Sequence, residues 1–203
     1  MLRIVLVLVM AMVGSAEAKT AKVVLAGGCF WCVEANFESL SGVKAVISGY
    51  TGGSSQNPTY DVHDGHYEAV EVTYDDARLS LTDLIDKFLH STDVVDGGGQ
   101  FCDRGPSYAS AIFVSNAAEK TIAEAEIARA QAALGQKVVT KVLAAARFWQ
   151  AEDYHQDYYK GTGIVFTRAG PKLQSSAYEF YRNACGRDQR VKALWADQAA
   201  FVH

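Results

Sequence analysis

The sequence has no excess of basic residues: 19 lysines and arginines face 23 aspartates and glutamates, a formal net charge of −4. That balance offers no electrostatic footprint for nucleic acid or an anionic membrane surface. The five histidines are scattered, so no cluster of metal-ligand spacing is formed. A second CxxC is also missing, and the four cysteines therefore give no zinc pattern and no metal is expected. Internal repeats and low-complexity tracts are absent, as is a long apolar repeat, which leaves a monomer as the default expectation. No linker divides the chain, and residues 19–203 read as one domain.

The first residues differ from the rest. Arg3 supplies a positive n-region, residues 4–13 an apolar h-region too short to span a bilayer, and Ala16-Glu17-Ala18 a small-x-small cleavage pattern. Residues 1–18 read as a secretory signal cleaved near Ala18, the alternative being a retained N-terminal anchor. Export, to the periplasm in a Gram-negative-type envelope, implies an oxidising compartment in which the cysteines can pair. Four cysteines allow three full pairings.

Secondary-structure signals alternate. Strands are predicted over 22–25, 43–48, 68–74, 108–114 and 138–143. Helices are predicted from Cys29 to about Ser39, from the Ser80/Asp83 capping box onward, and from Asn116 to Leu134 before Gly135. The remainder is rich in aromatics and reads as largely helical, with an amphipathic helix over 152–159. This order predicts an α+β fold: a two-layer split βαβ (ferredoxin-like) mixed sheet with helices on one face, and a helical, loop-rich C-terminal extension.

The chemistry concentrates at Gly27-Gly28-Cys29-Phe30-Trp31-Cys32. A strand, two glycines and a cysteine at the first turn of a helix place a sulfur among unpaired N–H groups that favour an anion, so a lowered Cys29 pKa is expected. Phe30 and Trp31 set an apolar wall beside it. In the third strand Glu68 shares a face with Val70, Val72 and Tyr74; a carboxyl there is either at the strand edge or is held neutral by desolvation, as a general acid must be. Tyr60 and Tyr108 stand at loop–strand junctions with Asp103 nearby. His155 reads as a structural histidine. Cys29-x-x-Cys32 has redox spacing, and Cys102 and Cys185 are the other candidate partners.

These residues, with Gly49-Tyr50-Thr51-Gly52-Gly53, Asn57-Pro58-Thr59-Tyr60, Gly65-His66-Tyr67-Glu68, Asp103-Arg104-Gly105 and Ala151-Glu152-Asp153-Tyr154-His155-Gln156, resemble the A-type peptide-methionine sulfoxide reductases from about Lys22 to Tyr159. The resemblance implies reduction of the S epimer of methionine sulfoxide, free or in proteins, without a cofactor. Cys29 would be the nucleophile, and Phe30 and Trp31 would hold the substrate methyl group. Glu68 would be the acid, aided by Tyr60, Tyr108 and Asp103. A second cysteine would resolve a Cys29 sulfenic acid, and a thioredoxin-like protein would reopen the disulfide. The chain departs from the common family pattern at Cys32, where glycine is usual, at Cys102, and in the tail around Cys185. A cysteine on a mobile tail can reach a sulfenate without distorting the site, which favours Cys185 as the resolving residue over Cys32 and Cys102. Two other readings need fewer residues: a thiol–disulfide oxidoreductase using Cys29 and Cys32, and a secreted binding domain with two structural disulfides.

Overall fold

Thr20–Ala26 forms strand β1, whose Val23 and Leu25 point into the core while Val24 faces the other side of the sheet. The structure is a computed structural model describing residues 19–203; the signal segment expected at 1–18 lies outside the described residues. Helix α1 (Phe30–Glu38) returns the chain to β2 (Val43–Thr51), and a long loop leads to β3 (Tyr67–Asp75). Helix α2 (Leu81–Leu89) begins where Ser80 Oγ accepts the Asp83 N–H at 3.1 Å, and it buries Leu84, Ile85, Phe88 and Leu89. Each such side chain contributes about 1.5–3 kcal/mol of transfer free energy before entropy is counted.

A two-residue hairpin, β4 (Gly99–Gln100) and β5 (Asp103–Arg104), precedes β6 (Ala111–Val114). Helix α3 (Ala117–Leu134) follows. Asn116 Oδ1 accepts the Glu119 N–H at 3.0 Å, Glu119 Oε2 reaches back to the Ser115 N–H at 2.7 Å, and Gly135 ends the helix at φ +60°. Strands β7 (Lys141–Ala144) and β8 (Trp149–Gln150) complete a six-stranded sheet of order β7-β6-β1-β3-β2-β8. β3 lies between β1 and β2 and is antiparallel to both, which is the split βαβ arrangement. β7 runs parallel to β6, so the sheet is mixed.

Phe37 of α1, Phe88 of α2 and Ala123 of α3 share one core cluster with Leu25, Val70 and Val72. Among the described residues the opposite sheet face carries a small cluster, Ala26, Ala69, Ala111 and Phe113, covered by Phe148 and Leu143. The helices thus pack on one face, as the sequence predicts.

The C-terminal third departs from expectation. In place of the helix predicted over 152–159 there are two short 3-10 turns, Asp153–His155 and Tyr158–Lys160. Asp157 between them is left-handed, at φ +56°. The Gln156 side chain mimics a strand, taking the Ser48 N–H at 2.9 Å and returning a bond to the Ser48 carbonyl at 3.0 Å. Those bonds hold the segment extended along β2, where a helix could not follow. A hairpin, β9 (Ile164–Thr167) and β10 (Gly170–Leu173), precedes helices α4 (Gln174–Ala184) and α5 (Arg187–Trp195). The strand predicted from Tyr108 starts only at Ala111, because Pro106–Tyr108 closes a 3-10 turn.

Candidate active site

At the end of β1 the chain turns through Gly28 at φ +84°, and a Cβ there would lie 2.6 Å from Cβ of buried Gln100. Only glycine fits this turn. Cys29 becomes the N-cap of α1 but offers no side-chain cap. The free Phe30 N–H is taken from across the sheet, donating to Glu68 Oε2 at 3.2 Å. Glu68 is 2% exposed on β3. Burial pushes its carboxyl up to about 8; Asp103 adds to the rise, and the Phe30 N–H and Tyr108 hydroxyl oppose it. Glu68 therefore holds its proton at neutral pH, and the strand-edge alternative falls.

The two thiols differ in their surroundings. Cys29 and Cys32 are both free thiols lining the same cleft, and the ionisation of each depends on the other. Cys32 is brought down to about 6, chiefly by its neighbour Cys29, against burial, with help from the charges of Arg187 and Arg182. Cys29 is pushed well above the ordinary thiol range by its neighbour Cys32, by burial and by the nearby Glu68 and Asp103. The leading N–H of the helix serves Glu68, and the carboxyl groups of Glu68 and Asp103 act against charge on the Cys29 sulfur.

Phe30 is buried, and Trp31 stacks on Tyr158 with centroids 3.8 Å apart and planes 4° off parallel. The indole N–H of Trp31 donates to Nδ1 of His155 at 3.1 Å. That bond assigns the histidine proton to Nε2, which lies 3.9 Å from Glu152 Oε2. Burial lowers His155 to about 4, so the ring is neutral and structural. Glu152 accepts the Tyr60 N–H at 2.9 Å and the Tyr50 hydroxyl at 3.2 Å, and so anchors the Tyr60 loop.

Cys29, Phe30, Trp31, Glu68, Tyr60, Tyr108 and Asp103 all line one cleft of about 360 Å³. Burial is the main reason that Tyr60 is pushed up to about 12 and Tyr108 is raised as well, so both phenols keep their protons as donors. Asp103 is also raised by burial.

All four sulfurs reach this cleft too. Cys102 and Cys185 are joined as a disulfide, whereas Cys29 and Cys32 are free. Cys185, expected on a mobile tail, is the C-cap of α4, with its N–H bonded to the Tyr181 carbonyl at 2.9 Å. Neither Cys185 nor Cys102 is a thiol in this structure.

Sequence reasoning missed the cleft wall supplied by α4 and α5: Tyr178, Tyr181, Arg182 and Arg187. The usable signal was two arginines flanking Cys185. Away from the cleft, among the described residues, the acidic groups of Glu34, Glu38 and Asp157 lie within 4.8 Å of one another. Lys160 Nζ sits 2.8 Å from both Glu38 and Asp157, so a protein cation already serves that cluster.

Similarity to known proteins agrees with this geometry. Residues 21–197 match the family model described as peptide methionine sulfoxide reductase. Peptide methionine sulfoxide reductase MsrA 2 of Rhizobium meliloti is 46% identical over 87% of this chain and 84% of its own. Methionine sulfoxide reductase A of Corynebacterium diphtheriae superposes with TM-score 0.63 at 28% identity, covering 74% of this chain and 79% of that one. Mxr1 of Saccharomyces cerevisiae shares the fold in its reduced form (TM-score 0.66, 24% identity, 74% and 90% covered) and in complex with Trx2 (0.51, 20%, 71% and 90%). The chain is an enzyme of the peptide methionine sulfoxide reductase family, of the A type.

Proposed function

We propose that this enzyme reduces the S epimer of methionine sulfoxide, free or within oxidised proteins, through a Cys29 sulfenic acid that Cys32 resolves. The observation that carries the reading is the juxtaposition, in one cleft, of the free Cys29–Cys32 pair and the neutral, buried carboxyl of Glu68. Cys29 sulfur attacks the sulfoxide sulfur while Glu68 passes its proton to the sulfoxide oxygen, with Tyr60 and Tyr108 donating to that oxygen and Asp103 beside them. A Cys29–substrate S–S bond forms, the S–O bond breaks, and the oxygen leaves as water carrying the thiol proton and the Glu68 proton. Water then attacks the Cys29 sulfur and returns a proton to Glu68, the S–S bond breaks, and methionine leaves with Cys29 as a sulfenic acid. The substrate sulfur is reduced by two electrons and Cys29 is oxidised by two. Phe30 and Trp31 form the apolar wall for the methyl group.

Cys32 thiolate then attacks the sulfenyl sulfur. The Cys29–Cys32 bond forms, and hydroxide leaves and takes up a proton to become water. A thioredoxin-like protein, of the kind that Mxr1 binds, returns the disulfide to two thiols. With residues 1–18 read as a secretory signal, the enzyme is exported, to the periplasm in a Gram-negative-type envelope, and works there as a monomer that repairs oxidised proteins.

The test is methionine formation from each purified epimer with dithiothreitol. S-epimer turnover that vanishes in Cys29→Ser is the expected result. Reduction of neither epimer, with disulfide reduction of insulin instead, would favour a thiol–disulfide oxidoreductase built on Cys29 and Cys32.

A further inference from the structure

The hairpin of β9 and β10 presents an apolar outer face. Cross-strand pairing sets Ile164 opposite Leu173 and Phe166 opposite Pro171, and side chains two apart on a strand share a face. All four are exposed, Phe166 by 87% and Ile164 by 71%. Between them Val165 turns inward and packs against the cluster of Cys32, Tyr158, Ala177 and Tyr178. The hairpin is therefore anchored through one face and bare on the other.

The edge of β9 is open as well. In an antiparallel pair, residues that exchange hydrogen bonds alternate with residues that do not. Proline has no N–H, so Phe166 and Pro171 form a non-bonded pair, and so do Ile164 and Leu173 two positions on. The N–H and carbonyl groups of Ile164 and Phe166 thus point away from β10. Among the described residues neither makes a hydrogen bond outside the hairpin. On β10 the same alternation puts Pro171 at the outer edge, where its missing N–H blunts that side. One strand is left with unpaired backbone groups beside an apolar face, which is the arrangement that takes up a further strand.

The hairpin joins this surface to the site of reaction. Arg168, in its turn, lines the cleft that holds Cys29 and Glu68, and its guanidinium lies 5.7 Å from the ring centroid of Tyr181. At about 3.3 Å per residue, Phe166 is about 7 Å and Ile164 about 13 Å along the strand from Arg168. Size also selects the occupant. The apolar face offers on the order of 400 Å², about half of what each partner gives to a stable interface between folded proteins. A second copy of the chain needs more than that, whereas a short extended segment does not.

We infer that the open edge and outer face of β9 form a docking site for an extended, alternately apolar segment of an oxidised protein, with its methionine sulfoxide about three to six residues away in the cleft. The inference rests on the reading that the enzyme acts on methionine sulfoxide within proteins, and it names the segments preferred. Backbone bonds to Ile164 and Phe166 hold the segment in register, and every second side chain of it covers the apolar face. The charged residues of the hairpin are Arg168 and Lys172, so segments rich in lysine and arginine are disfavoured.

The experiment measures binding first, by fluorescence anisotropy, on protein carrying Cys29→Ser, which removes turnover. The probes are labelled peptide amides with one methionine sulfoxide, a glycine-serine spacer and either Val-Thr-Val or Ser-Thr-Ser, placed before the sulfoxide in one set and after it in another. A third kind carries Val-Thr-Val with N-methylated amides. In one of the two sets Val-Thr-Val should bind about tenfold tighter than Ser-Thr-Ser, and N-methylation should remove most of that gain. Ile164→Ser/Phe166→Ser, verified as folded by circular dichroism, should bring the peptides level. With Cys29 restored, the same double substitution should raise KM for the Val-Thr-Val peptide about tenfold, with kcat and the reduction of free methionine sulfoxide unchanged. Equal binding of the peptides to the parent in both sets, undiminished binding after N-methylation, or a preference that survives the double substitution each overturns the proposal. So does a raised KM for a thioredoxin-type reductant with peptide binding unchanged, which gives the surface to the reductant. A dimer in sedimentation that the substitutions dissociate gives it to a second copy and overturns the proposal too. If the preference depends on Ile164 and Phe166 while the parent reduces neither epimer, the docking site stands and the reductase mechanism fails.

Discussion

The backbone N–H of Phe30 donates to the side chain of Glu68 across 3.2 Å, joining the start of α1 to β3. One bond thus fixes the acid beside the residue that follows the nucleophile. Because burial holds Glu68 at about 8, its acid form supports reduction at neutral pH, and the rate should fall as pH rises through that value. Glu68→Gln should lower kcat/KM by about 10²–10⁴ and abolish that alkaline limb. A pH–rate series on both proteins reads this directly, and a variant of near-native rate would remove Glu68 from the mechanism.

The same shift has a stability consequence. The folded carboxyl keeps its proton between the ordinary value of 4.5 and about 8, a range in which the unfolded chain has released it. The folded state binds more protons there, so this contribution to stability is fully present below 4.5 and is lost as pH rises through 8. Glu68→Gln removes that decline. Denaturant midpoints at pH 6 and pH 9 should differ less in the variant than in the parent, and an equal difference would argue against a buried neutral acid.

Much of this site was legible in the sequence because its signals are local. The Gly27-Gly28-Cys29 turn, the alternation that places Glu68 with Val70 and Val72, and the Ser80 and Asn116 caps each depend on neighbours a few residues away. The Cys102–Cys185 bond joins positions 83 residues apart, and nothing near either cysteine specifies it. The charges around the two thiols were hidden for a related reason: the helix terminus is a local feature, whereas Arg187, Glu68 and Asp103 come from three distant elements. The helix expected over 152–159 failed because Gln156 finds better partners on Ser48 of β2 than a helix would give it.

The turn itself offers a sharper test. Gln100 accepts the Asp93 N–H and donates to the Asp93 carbonyl, each at 2.8 Å, so it cannot retreat from a new Cβ at position 28. Gly28→Ala combines that collision with a left-handed φ, at a cost of about 1–3 kcal/mol. A lowered thermal midpoint and a reduced rate at saturating substrate are expected together. A midpoint equal to that of the parent would mean that the turn tolerates a side chain.

The two pairs of cysteines should separate cleanly. Cys32→Ser leaves Cys29 able to form its sulfenic acid, so about one methionine per enzyme should appear in a burst, followed by little turnover with a thioredoxin-type reductant. Cys102→Ser/Cys185→Ser removes a cross-link spanning 83 residues, which typically costs about 2–4 kcal/mol of stability. It should nevertheless keep multiple turnovers below its lowered melting temperature, because the chemistry remains with Cys29 and Cys32. Rapid-quench methionine assays on both variants decide the matter. A single-turnover burst in Cys102→Ser/Cys185→Ser, with sustained turnover in Cys32→Ser, would reverse the assignment and return Cys185 to the resolving role.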